Sequence, residues 1–365
     1  MKREKELLKG NYAIARAAVE AGCQSYFAYP ITPQSEIGEY LSSAMPENGR
    51  AYVAAESEVA AISMVLGAGA TGVKAMTSSS SCAVSLMQEG LSFIAGDEIP
   101  CVLVSVMRAG PGLGYIYPSQ GDYYQTTKGG GNGDYKIVTY APSSVQECID
   151  LTYKSFYVSQ KYRTPVCLLA DGMLGQMMEP AVVGEYPYEE IDQSSWALDG
   201  AKDREPRHIA SIEREQETLR KRVVKIFEKY NKILEKENIF EKYEIEGAKL
   251  VITAFGSIAR IAKAAVKKAR KNGMKVGLFR PILLNPFPEK IVAEIAQKVD
   301  GILDIELNCG QMLNDIKASI ACAATIPVEF YGRPAGVMMT VEEIYKQIET
   351  VYRKIVEKKY GTACI

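Results

Sequence analysis

Histidine is almost absent from this chain: 365 residues contain only His208. It sits in a polar, charged stretch and reads as a solvated surface residue. With no imidazole partner available, the Ser78–Ser81 run is a poor source of a hydrolytic nucleophile. Clustered cysteine is absent too. Cys23, Cys82, Cys101, Cys148, Cys167, Cys309, Cys322 and Cys364 are scattered, and none forms the C-x2-C spacing that lets one loop present several thiolates. That excludes a local iron–sulfur or structural zinc ligand set and leaves the cysteines as small buried hydrophobes. There is no Gly-Lys dipeptide, so no phosphate loop of the G-x4-G-K type. Nor is there an excess of either charge: 43 basic and 44 acidic residues give a net charge of −1, which favours neither nucleic acid nor an anionic membrane. The longest uncharged run, Val59–Val73, is too short and glycine-rich to span a bilayer. The N-terminal MKREKELLKG lacks the apolar core of a signal peptide, so a cytoplasmic location is expected.

What is present suits an ordinary globular protein, 47% apolar and 24% charged, long enough for two domains. Strands are predicted at Ser25–Tyr29, Ala51–Ala55, Lys74–Ser78, Cys101–Met107, Lys136–Tyr140 and Val166–Ala170. Helices are predicted between them at Glu6–Ala21, Pro33–Ala44, Glu58–Ala70, Ser85–Ile94 and Ser144–Tyr162. Nearly continuous apolar strands alternating with helices imply an α/β fold with a parallel sheet covered on both faces. Residues 187–247 break the rhythm with a charged linker holding one amphipathic helix, about Ile209–Leu234. A second α/β unit follows, with strands Leu250–Phe255, Lys275–Phe279 and Gly301–Leu307. Its helices are Ser257–Asn272, Pro288–Val299 and Gln311–Ala321, and a last helix runs from about Val341 to Lys358. The expected domains are therefore 1–186 and 248–365, with 187–247 joining them.

Gly67-Ala-Gly69-Ala-Thr-Gly72 matches a dinucleotide fingerprint, but it ends a helix and precedes a strand. A pyrophosphate needs the reverse order, so close helix–sheet packing explains these glycines better. Thr32 can be read simply as a helix cap, with Pro33 at the first helical position and Glu36 in the first turn. Glu56 and Glu58 can likewise be read as acids favoring a helix N-terminus.

Tyr29-Pro-Ile-Thr-Pro33, Glu56-Ser-Glu58-Val-Ala-Ala and Val106-Met-Arg108-Ala-Gly-Pro-Gly, in this order and spacing, resemble the α subunit of 2-oxoacid:ferredoxin oxidoreductases. The resemblance continues through Tyr117-Pro-Ser-Gln-Gly-Asp-Tyr, Thr127-Lys-Gly-Gly-Gly-Asn-Gly-Asp-Tyr and Asp171-Gly-Met-Leu-Gly-Gln-Met-Met-Glu-Pro180. It extends to Arg280-Pro-Ile-Leu-Leu-Asn-Pro-Phe-Pro288 and Glu306-Leu-Asn-Cys-Gly-Gln-Met312, covering nearly the whole chain except the linker. The type acting on 3-methyl-2-oxobutanoate (2-ketoisovalerate) is the most similar. One departure is Ser81-Cys82, where related chains commonly carry Pro-Gly.

The resemblance implies a pyrimidine-binding thiamine diphosphate domain followed by a transketolase-C-terminal-like domain. It implies oxidative decarboxylation of a branched 2-oxoacid to an acyl-coenzyme A, with ferredoxin reduced; 2-oxoglutarate or pyruvate remains open as the substrate. Glu58 would then share a proton with the cofactor's pyrimidine ring, with Pro30 and Ile31 also against the cofactor. Arg108 and Thr32 would hold the substrate. The uncharged Val59–Leu66 run after Glu58 suits such a carboxyl, because apolar surroundings disfavour its ionised form. Arg108 is the only charge between Glu98 and Asp122, which suits an inward-facing partner.

Thiamine enzymes bind Mg2+ and the diphosphate through Gly-Asp-Gly followed some 25–30 residues later by Asn. Here Ala170-Asp-Gly172 has no such Asn before Asn231. The diphosphate and Mg2+ should therefore be held by a partner β subunit, with iron–sulfur clusters only in partner chains. The resemblance further implies a γ subunit and a ferredoxin-like δ subunit. Two readings from other classes are a nicotinamide-dependent dehydrogenase using Gly67–Gly72 and a scaffold without catalytic residues.

Overall fold

A computed structural model describes residues 4–334 and 336–357. Lys358, at the end of the expected last helix, and Cys364 lie outside the described residues.

The chain opens with a short strand, β1 (Glu6–Lys9), and then α1 (Gly10–Glu20). The sequence predicts one helix from Glu6. Instead, residues 6–9 pair antiparallel with a later strand at 178–181, and the helix begins at Gly10. A glycine is needed there because a Cβ would lie 2.1 Å from the Leu174 carbonyl oxygen. Strand–helix units follow: β2 (Ser25–Ala28) with α2 (Ser35–Glu47), then β3 (Ala51–Ala54) with α3 (Glu58–Ala70). Next come β4 (Ala75–Ser79) with α4 (Cys82–Leu86) and α5 (Gln88–Gly96), and β5 (Cys101–Ala109), which turns back into β6 (Tyr115–Pro118) and then α6 (Tyr123–Thr127). The first half closes with β7 (Val138–Tyr140), α7 (Val145–Tyr162), β8 (Pro165–Asp171), α8 (Gly172–Gln176) and β9 (Met178–Ala181). The α7 boundary is set by chemistry readable in the sequence: the Ser144 hydroxyl accepts from Glu147 N, and Arg163 ends the helix in the left-handed region.

Strands β3, β2, β4, β5, β8 and β7 lie side by side, all parallel. Alternate residues of β5 face opposite layers, as the pleat requires. Val102, Val104 and Val106 pack toward α1, α2 and α7, while Cys101, Leu103 and Met107 pack toward α3 and α5.

Within residues 187–247 the amphipathic helix is α9 (Gln216–Lys236), starting later than the apolar spacing suggests. Glu215 caps it through Thr218 N, so Ile212 falls before the helix and is 75% exposed. Ile226, Tyr230 and Ile233 are buried against the α7 layer. The remaining elements are β10 (Phe240–Tyr243), β11 (Leu250–Thr253), α10 (Gly256–Lys271), β12 (Val276–Pro281), β13 (Leu283–Asn285), α11 (Glu289–Ala296), β14 (Gly301–Glu306), α12 (Met312–Ile320), β15 (Val328–Gly332) and α13 (Val341–Tyr352). They build a second sheet in the order β10-β12-β11-β14-β15, of which only β10 is antiparallel to its neighbour.

The two halves share structure. β13, although late in sequence, pairs antiparallel with β7 and extends the first sheet. The fully buried Gln120 donates from Nε2 to the Phe255 carbonyl at 2.8 Å and accepts from Leu307 N at 3.0 Å. Tyr123 packs on Phe255 with ring centroids 5.4 Å apart.

Candidate functional site

In an open parallel sheet, ligands bind beyond the carboxyl ends of the strands, where the chain reverses its direction of winding. Here the chain runs from β2 outward to β3, then crosses back to place β4 on the other side of β2. The crevice therefore opens past the carboxyl ends of β2 and β4. Across it, in spatial order, stand Glu58 after β3, Tyr29–Pro33 after β2, Ser80–Cys82 after β4, and Arg108 at the end of β5. All the sequence-predicted site residues thus fall on one rim of the sheet.

Glu58 is the first residue of α3, with Ser57 capping the helix through Ala60 N. The two glutamates of the E-x-E segment part company: Glu56 is exposed, whereas Glu58 is 8% exposed. Among the described residues no hydrogen bond or ion pair engages the Glu58 carboxylate. The residue is largely buried but its carboxylate is committed to no protein group, so it is open to a ligand atom at the mouth of the crevice.

Arg108 is 7% exposed. Its Nη1 donates to the Thr32 carbonyl at 2.9 Å, and its Nη2 donates to Cys82 Sγ at 2.9 Å and the Leu113 carbonyl at 3.3 Å. Its Nε is buried without a partner. Among the described residues no carboxylate forms an ion pair with it. The nearest acid in effect is Asp122, which instead accepts a hydrogen bond from Ser81 Oγ at 2.5 Å. Burial pushes the Asp122 carboxyl up to about 6, and Ser81 and the Arg108 charge partly offset that rise.

Thr32 does not cap a helix, because α2 begins only at Ser35 with Gln34 in the capping position. The intervening Thr32–Pro33 peptide is cis, and Thr32 is exposed, as are Tyr29 and Pro30, with Ile31 half-buried. Glu36 does lie in the first turn of α2. The Ser78–Ser81 run ties strands together: Ser78 Oγ pairs with Tyr26 and Gln34, and Ser80 Oγ donates to the Val106 carbonyl.

Beside Arg108 a cavity of about 660 Å³ opens between the two halves. Ser81, Cys82, Gly110–Gly112 and Asp122 line it from the first half, and Asn308, Cys309 and Gln311 from the second. Sequence reasoning missed Asp122 and Gln120. For Asp122 a signal existed, since it is the first acid after Arg108 in a segment rich in Gly and Tyr. Gln120 acts entirely through contacts with residues far along the chain.

The decoys resolve cleanly. Gly67 and Gly69 lie in α3, not at a strand-to-helix turn, and a Cβ on Gly69 would come within 2.7 Å of Ile99, so Gly69 serves packing. His208 is exposed. Asp171 of the Ala170-Asp-Gly172 segment is fully buried and caps α8 through Leu174 N at 3.0 Å, which commits that oxygen to the fold. Cys309 and Cys322 are exposed, contrary to the expectation of burial, and no helix is long and apolar enough to cross a membrane among the described residues.

Apolar side chains stand exposed on segments that border the crevice: Val59 is 48% exposed, and on the β5–β6 hairpin Leu113 79%, Tyr115 58% and Tyr117 53%, the two tyrosine rings 4.8 Å apart. Monomeric proteins rarely leave such side chains together in water, and larger patches mark interaction surfaces.

The family described as pyruvate flavodoxin/ferredoxin oxidoreductase, thiamine diphosphate-binding, matches residues 16–244, and the pyruvate:ferredoxin oxidoreductase core domain II matches residues 248–344. The ketoisovalerate oxidoreductase subunit VorB of Methanothermobacter marburgensis is 44% identical over 346 residues, covering 95% of this chain and 97% of that protein. The 2-oxoglutarate synthase subunit KorA of Archaeoglobus fulgidus is 35% identical over 338 residues, covering 90% and 95%. A solved 2-oxoglutarate:ferredoxin oxidoreductase from Magnetococcus marinus, with 2-oxoglutarate, coenzyme A and succinyl-CoA bound, superposes with a TM-score of 0.85 at 26% identity. That match covers 95% of this chain but only 65% of the solved one. A split-gene transketolase, TM-score 0.60 at 12% identity, shares the fold.

Proposed function

This chain belongs to the pyruvate flavodoxin/ferredoxin oxidoreductase family, and we propose that it is the α-type subunit of a thiamine-diphosphate-dependent 2-oxoacid:ferredoxin oxidoreductase. The reaction is oxidative decarboxylation of a branched 2-oxoacid, such as 3-methyl-2-oxobutanoate, to acyl-coenzyme A and CO2. Residues 1–186 form the pyrimidine-binding domain and 248–365 the transketolase-C-terminal-like domain, joined by 187–247.

The observation that carries this reading is Arg108. A buried guanidinium with no ion-pair partner among the described residues, held by main-chain carbonyls and a thiol, suits an incoming anion. A 2-oxoacid carboxylate matches its planar fork. When bound, thiamine diphosphate supplies the electron sink that decarboxylation of a 2-oxoacid requires. Glu58, largely buried and without a partner among the described residues, fits a pyrimidine ring nitrogen with which it would share a proton, and the turn at Pro30 and Ile31 would back the ring. The exposed Thr32 hydroxyl is free to hold the substrate's keto or carboxylate oxygen. The diphosphate and Mg2+ fall to a β subunit seated on the exposed apolar side chains, since Asp171 is already committed to capping α8. Iron–sulfur clusters belong to partner chains, including a γ and a ferredoxin-like δ subunit, with ferredoxin as the acceptor.

One observation favors a branched substrate over 2-oxoglutarate: the higher identity to the ketoisovalerate relative, 44% against 35%. The test is dye reduction by the purified complex with a panel of 2-oxoacids plus coenzyme A. Preference for 3-methyl-2-oxobutanoate is expected; equal or greater rates with 2-oxoglutarate or pyruvate would overturn the substrate assignment. Tight binding of a dinucleotide by the isolated chain would favor the dehydrogenase reading instead.

A further inference from the structure

Arg108 is unusual in what surrounds it. A buried guanidinium normally faces a carboxylate, which orients it and neutralises it at once. Here, among the described residues, orientation comes without a carboxylate bonded to the guanidinium, and Ser81 and Cys82 set it. Ser81 has φ 37° and ψ −99°, a conformation L-residues rarely adopt. Its hydroxyl fixes it there, accepting from Arg108 N at 2.9 Å and donating to Asp122 Oδ2 at 2.5 Å. The next residue, Cys82, is half-buried on the cavity wall and takes Arg108 Nη2 at 2.9 Å. Sulfur is a weak acceptor. It can hold the direction of an N–H while leaving the positive charge available, which a carboxylate at that position could not do. The third acceptor of the fork, the Leu113 carbonyl at 3.3 Å, is the longest bond and lies on an exposed hairpin tip. It is the contact an incoming carboxylate can replace.

We infer that Cys82, seated by Ser81, is a positioning residue for the substrate arginine, aiming the guanidinium at the 2-oxoacid carboxylate without quenching its charge. This rests on the reading that Arg108 binds that carboxylate.

The test uses the assembled complex. Cys82→Ala should raise the KM for 3-methyl-2-oxobutanoate about five- to tenfold while kcat stays within twofold, and Cys82→Ser, which restores an acceptor, should recover most of the loss. Independently of any variant, 3-methyl-2-oxobutanoate should slow iodoacetamide labelling of Cys82 at least fivefold, read by peptide mass spectrometry. Exposed Cys322, which does not line the cavity, serves as the unchanged reference. An unchanged KM in Cys82→Ala, or labelling of Cys82 that substrate does not slow, overturns the inference, and the labelling decides alone should the variant fail to assemble. A complex that oxidises no 2-oxoacid refutes the functional reading and this inference with it. Turnover with substrate-independent labelling refutes only the role of Cys82.

Discussion

Replacing Arg108 separates a substrate-binding role from a structural one, because the two predict opposite effects on stability. Two charge-assisted hydrogen bonds from the guanidinium fork to a carboxylate, each worth about 1.5–3 kcal/mol, place about 3–6 kcal/mol on substrate recognition. At about 1.4 kcal/mol per tenfold, Arg108→Met should lower kcat/KM about a hundred- to ten-thousandfold. Arg108→Lys keeps the charge but loses the fork, and should cost about ten- to a hundredfold. In the folded chain Arg108→Met removes bonds to Thr32, Cys82 and Leu113, each contributing about 0.5–1.5 kcal/mol. It also relieves the desolvation of a buried, unpaired cation, which costs several kcal/mol. The isolated chain should therefore keep its melting temperature or gain a few degrees. Steady-state dye reduction by the complex gives the kinetic constants, and thermal denaturation of the isolated chain gives the stability. Unchanged KM in Arg108→Met would refute the reasoning, as would a loss of stability above about 3 kcal/mol.

Glu58→Gln removes the ionisable proton and should cut turnover about a hundredfold or more, while partner subunits still co-purify. Turnover within a few-fold of wild type would instead support a scaffold role. Gln120→Ala strands the Phe255 carbonyl and Leu307 N–H in the interface between the halves, and should destabilise the chain by about 2–6 kcal/mol in urea titration. A change under about 0.5 kcal/mol would show that water replaces both bonds. Asp122 titrates near 6 in the fold, above the ordinary aspartate value of 3.8, so the stability of its protonated form is fully present below 3.8 and lost as pH rises through about 6. Stability of wild type relative to Asp122→Asn should therefore fall across that window, and a pH-independent difference would contradict the burial of this carboxyl.

Much of this arrangement was legible in the amino-acid pattern because it is local. The α3 helix follows from the uncharged run behind Glu58, and the β5 strand from the run Cys101–Met107, apolar but for Ser105. Glu58, Thr32 and Arg108 fell on one strand-end rim because each lies at or beyond the carboxyl end of a parallel strand. The failures are equally physical. Residues 6–9 merged with a helix-forming stretch, since nothing nearby announces a partner strand at Met178–Ala181. Thr32 looked like a cap, yet the helix starts at Ser35. Gln120, Cys82 and the pairing of β13 depend on residues far along the chain, and no periodicity encodes such contacts.

That last pairing has a consequence for how the protein is made. Tyr140 on β7 waits for Leu283, which leaves the ribosome later by roughly 7–30 s at 5–20 residues per second. During that interval the nascent first half presents an open, apolar sheet edge, a template for mispairing with neighbouring chains. Efficient production should therefore depend on translation speed through residues 141–283 and on chaperones that shield this edge. Cutting the gene between its halves should yield a first half that aggregates unless the second is synthesised alongside it.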